Sequence, residues 1–85
     1  MARMHPIAAR ELKGRPVLTE TGSKLGALKD VVVDADSGRV IEFVVSHGIL
    51  GGPDLLIGLS AVIEIRDDAI IVKDTFVGEG TPALA

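Results

Sequence analysis

Residues 25–47 read LGALKDVVVDADSGRVIEFVVSH, two apolar runs joined by a short polar stretch. Valine and isoleucine crowd both runs, and β-branched side chains suit a pleated strand better than a helix. The pattern predicts one strand over 25–34 and a second over 39–47. Between them Asp36-Ser37-Gly38 has the chemistry of a tight hairpin turn, with a glycine for the backbone conformation that other residues resist. Strict alternation places Leu28, Asp30 and Val32 on one face of the first strand, with Val31 and Val33 on the other. In the second strand Ile41, Phe43, Val45 and His47 share a face, opposite Val40, Glu42, Val44 and Ser46. Asp30 is therefore expected beside apolar neighbours in mid-strand. If buried there, it needs hydrogen-bond donors, with turn N–H groups the natural source.

The same punctuation continues in both directions. Upstream, a short strand is expected over 15–19, followed by a turn at Glu20-Thr21-Gly22-Ser23. Gly22 supplies a tight turn, and Gly26 a place where two strands approach closely. Downstream, a glycine-rich loop at 48–53 leads to a strand over 54–59. A brief turn at 60–62, a strand at 63–66, a hairpin at Asp67-Asp68 and a strand at 69–73 complete the series. Six short strands at hairpin spacing predict an all-β, mostly antiparallel small barrel, in which closure removes exposed sheet edges. The longest helix-compatible run, 7–13, is too short for a normal helix. The expected organisation is a loose N-terminal segment at 1–11, one folded domain at 12–77 and a flexible tail at 78–85.

Composition narrows the function classes. The chain of 85 residues has room for one domain. It has no cysteine, which rules out disulfides and thiolate metal sites. Apolar residues make up 47% of it, yet Phe43 and Phe76 are the only aromatics, so Val, Ile, Leu and Ala must build the core. The formal net charge of −3 is the wrong sign for a domain that grips phosphate backbones, and base-stacking aromatics are missing. No direct nucleic-acid contact is expected. No apolar run approaches the roughly 20 residues of a membrane span, so a soluble, cytoplasmic protein without membrane insertion is expected.

No motif carries a reaction. Asp34-Ala35-Asp36-Ser37-Gly38 resembles the start of a calcium loop. Such a loop needs glycine at its sixth position and glutamate at its twelfth, where Arg39 and Val45 stand. His5 and His47 are far apart and lack the acidic companions of a zinc site. Gly48, Gly51 and Gly52 are not followed by the Lys-Ser/Thr of a phosphate cradle. Ser23, Ser37, Ser46 and Ser60 have no nucleophile-elbow context. No catalytic residue, metal or cofactor is expected, and the chain is expected not to be an enzyme.

Several short motifs occur in an order that resembles a known family. Leu12-Lys13-Gly14-Arg15-Pro16-Val17 precedes Gly22-Ser23-Lys24-Leu25-Gly26. Asp30-Val31-Val32-Val33-Asp34 and Ser37-Gly38-Arg39-Val40 follow, then Ser60-Ala61-Val62 and Asp67-Asp68-Ala69-Ile70-Ile71-Val72. Over about residues 12–73 this arrangement resembles the PRC-barrel family. That family includes the cytoplasmic domain of the photosynthetic reaction-centre H subunit and the C-terminal domain of a ribosome maturation factor. The resemblance implies a non-catalytic β-barrel that docks on other macromolecules. Without the membrane helix of the first branch or the N-terminal domain of the second, the chain looks like a stand-alone member. It implies an assembly adaptor, for example in a cell-division or membrane-associated complex. The alternative is a factor for ribosome maturation or RNA processing that acts by binding a ribosomal protein.

An excess of apolar residues suggests where a partner sits. Leu55-Leu56-Ile57-Gly58-Leu59 is apolar on both faces, and so are Val31-Val32-Val33 and Ala69-Ile70-Ile71-Val72. A small barrel has a single interior, so the outer faces need a cover. Phe76, Val77 and Leu84 of the chain's own tail are one candidate cover. A second copy is the other, and a homodimer is expected. Ile49, Leu50, Leu55, Leu56, Ile57 and Leu59 are the candidate interface.

Overall fold

A computed structural model of the chain describes residues 5–47 and 52–74. It contains a single helical turn, α1 (Ala9–Leu12), and six strands. These are β1 (Pro16–Thr19), β2 (Lys24–Val33), β3 (Val40–Ser46), β4 (Leu55–Gly58), β5 (Val62–Ile65) and β6 (Ile70–Val72). A short 3-10 turn, Leu59–Ala61, joins β4 to β5. The all-β expectation holds, and each strand lies where the apolar runs and turn residues place it.

The strands form one sheet in the order β4-β3-β2-β1-β6-β5. Four of the five pairings are antiparallel. The fifth, β1 with β6, is parallel and joins Val17–Thr19 to Ile70–Val72. Closure, however, is not complete. Among the described residues β4 and β5 are free edges and do not pair with each other. The chain passes from one to the other through the 3-10 turn Leu59–Ala61, and β5 pairs with β6 instead.

Three of the pairings contain four register shifts between them, at Val17/Leu18, Leu28/Asp30, Val32/Val33 and Val62/Glu64. Each extra residue bends its strand and increases the local twist. These bulges also overturn the strict alternation expected for β2 and β3. The extra Lys29 shifts the phase of β2, so Leu28 is buried and Val31 packs on the core. Asp30 turns outward, with its side chain 61% exposed and 3.8 Å from the Lys13 ammonium. Its carboxylate accepts a bond from the Val31 N–H instead of a buried turn. In β3 the extra residue is Ile41, which is 45% exposed, while Val40 packs on the core beside Phe43.

The core is Leu12, Val17, Leu28, Phe43, Val45, Ile57, Ile70 and Val72. Leu12 enters it from α1, and Ile7 packs against it from the segment before that turn. Gly14 N–H donates to Leu28 O and Leu28 N–H to Arg15 O, which ties α1 to β2. At Gly26 the backbones of β2 and β3 come so close that a Cβ would land on the Ser46 carbonyl oxygen. Only glycine permits that approach.

Candidate functional site

The two edges of the sheet and α1 surround an apolar groove of about 340 Å³. Ile7, Ala9 and Leu12 come from the N-terminal segment and α1. Val31, Val40 and Phe43 come from β2 and β3. Leu59, just past β4, forms one lip, and Ile65, the last residue of β5, forms the other. The groove therefore lies between the two ends of the sheet order. The bulges at Lys29 and Ile41 help to make it, because they turn Val31 and Val40 toward it.

Apolar side chains continue outward from the lips. Leu59 is 40% exposed and Ile65 42%. Exposed Ile41 and Leu59 are the residues next to the last pair of the β3–β4 ladder, Glu42↔Gly58. A smaller depression of about 150 Å³ shares Ile7 and Ile65 with the groove and adds His5, Arg15 and Asp67. Arg15 is held there by a 2.7 Å bond from Nη1 to the Arg66 carbonyl. The site is thus a hydrophobic trough with a charged shelf at one end.

Polar groups elsewhere hold turns. The Asp34 carboxylate accepts bonds from the Asp36 N–H and the Ser37 hydroxyl, both at 3.0 Å. Those bonds, the Asp36 one foremost, lower its pKa from the ordinary value. The motif that resembles a calcium loop is thus a self-satisfied hairpin turn, closed by Gly38 with φ at 76°. Lys29 donates to Asp54 at 2.9 Å, and this bond raises the lysine pKa. Thr19, the one buried polar side chain among the described residues, accepts from the Ser23 N–H at 3.0 Å. The turn it anchors is fastened to the end of β6, where Thr21 N–H donates to Asp74 and Asp74 N–H to Glu20. No group of three His, Asp or Glu side chains converges among the described residues.

Residues 4–76 match the family model described as the PRC-barrel domain. The chain belongs to the PRC-barrel family. No curated protein matches it. PRC-barrel domains are generally non-catalytic. In this PRC-barrel no helix among the described residues is long and apolar enough to cross a membrane.

The interface residues expected from sequence separate in the structure. Ile57 is fully buried in the core and has no outer surface to offer. The correction has a simple cause: β4 alternates, and Ile57 takes the inward position opposite Phe43. Leu55 packs against the core as a half-buried residue, and Leu56 is half-buried on the other face. Leu59 is exposed and forms a groove lip. Ile49 and Leu50 lie outside the described residues, as do Phe76, Val77 and Leu84. Sequence reasoning missed Ile7, Val40, Ile41 and Ile65 as surface features. Their positions depend on bulges and on the sheet's open edge, which alternation does not encode.

Proposed function

We propose that this PRC-barrel is a non-catalytic assembly adaptor that self-associates and docks on a larger protein complex. The observation that supports it is the apolar groove with Leu59, Ile65 and Ile41 exposed around it. A surface of contiguous apolar side chains beside a trough is the anatomy of a protein-binding site. The half-buried Leu56, on the other face of β4, adds a second apolar area. A cytoplasmic location suits such a role.

Sedimentation velocity across the micromolar range tests the self-associating part, with Leu56→Glu and Leu59→Glu as probes of the two apolar areas. A concentration-dependent dimer is expected. A monomer at every concentration would remove self-association from the proposed function.

A further inference from the structure

We propose that two copies join edge to edge through β5, antiparallel about a two-fold axis at Ile65, so that their sheets continue into one. The inference rests on the self-association proposed above and names the surface that carries it.

β5 is a free edge of the sheet among the described residues. Such an edge presents unpaired N–H and C=O groups and is a template for another strand. On this one, Ile63 is 47% exposed and Ile65 42%. The direction of the backbone groups is fixed by the hairpin to β6. Arg66 N–H donates inward to Ala69 O at 2.8 Å, and Ile65 lies opposite Ile70. Backbone groups alternate sides along a strand, so the N–H and C=O of Ile65 point outward.

Charge selects the register. Glu64 and Arg66 flank Ile65 and carry opposite signs. Neither takes part in an ion pair among the described residues. With Ile65 opposite Ile65 of the second copy, Glu64 faces Arg66 of that copy, and the symmetry repeats the pair. Ile65 then exchanges two backbone bonds with its counterpart. Sliding the strands by one step instead sets Glu64 against Glu64, which like-charge repulsion opposes. A C2 interface needs a self-complementary patch, and the run Glu64-Ile65-Arg66 is one. Because Ile65 is also a groove lip, the axis brings the two grooves side by side.

Charge reversal on the full chain tests this. Glu64→Arg and Arg66→Glu alone each place like charges opposite one another and should weaken the dimer at least about tenfold in sedimentation. The double variant restores both pairs in swapped order and should regain the wild-type dimer. Circular dichroism reports whether each variant folds. Absence of cysteine allows a second readout. Paired positions across an antiparallel ladder sit about 5.5 Å apart at Cα, within disulfide range. Ile65→Cys should therefore cross-link on mild oxidation, and Glu64→Cys should not. A dimer that ignores both charge reversals, or that cross-links through Glu64→Cys only, overturns the β5 pairing while leaving self-association standing. A wild-type monomer overturns both.

Discussion

Replacing Gly26 with alanine adds one methyl group at the tightest point of the sheet. The new Cβ would sit 2.9 Å from the Ser46 carbonyl carbon, and nearer still to its oxygen. Carbon–carbon contact wants at least about 3.5 Å, so the carbon alone asks for about 0.6 Å of extra room. That room must come from backbone, since no flexible side-chain end can swing aside. Ser46 pairs with Ala27, at the end of the longest ladder in the fold. The Val45 side chain, fully buried, lies 3.2 Å from the same point and blocks relief in its direction. Overpacking a rigid site costs about 1–3 kcal/mol, and a backbone clash belongs at the upper end. In a domain of this size about 3 kcal/mol lowers Tm by roughly 12–24 °C. Gly38→Ala is the control: it has the same chemistry and a positive φ, but nothing lies within 4 Å of the added methyl. It should cost only about 1–2 kcal/mol. Thermal unfolding followed by circular dichroism reads both. A Gly26→Ala protein that melts no lower than Gly38→Ala would refute the close-approach reasoning.

Three other outcomes can be checked with the same apparatus or by NMR. Ile57→Ala, in a fully buried position, should cost about 2–5 kcal/mol. Leu56→Ala, half-buried on the other face, should cost clearly less, and equal losses in denaturant melts would contradict the assigned faces. Thr19→Val keeps the shape but leaves the Ser23 N–H without its acceptor, for a loss of about 1–3 kcal/mol. Asp34 should titrate with a midpoint below 3.8, because its partners favour the charged form. Its stabilising contribution is complete above that ordinary value and fades as pH falls through the lowered one. The Asp36 and Gly38 amide resonances should follow this transition, and a midpoint at or above 3.8 would count against the turn geometry.

The strands were legible because their apolar runs are short and their turns carry Gly, Asp and Ser. Gly38 closes the hairpin as its position suggests, and Gly26 marks a close approach. The faces were not legible. A single extra residue at Lys29 moves Asp30 outward and Val31 inward, and no local sequence feature announces it. The run Val31-Val32-Val33 is divided between core and surface, with Val31 packed on the core and Val33 50% exposed. The groove escaped for a related cause. Ile7 is distant in sequence from Leu59 and Ile65, and the groove between the sheet's two ends brings them together. Of the apolar run from Leu55 to Leu59, Leu59 is exposed, whereas Ile57 takes the buried face.

The parallel pairing of β1 with β6 has a consequence for how the protein is made. Val17 finds its partner in Ile70, 70 − 17 = 53 residues later in the chain. Synthesis runs at about 5–20 residues per second, so β1 waits roughly 3–10 seconds for the strand that completes its far side. Over that interval the β1–β2 and β2–β3 hairpins can form, since their partners are local. The core cannot close, because Ile70 and Val72 are among its buried members. The nascent chain thus passes through a stage with Val17 uncovered and one edge of β1 unpaired. β6 acts as a latch, and until it arrives the unfinished sheet is a substrate for chaperones or for other nascent copies.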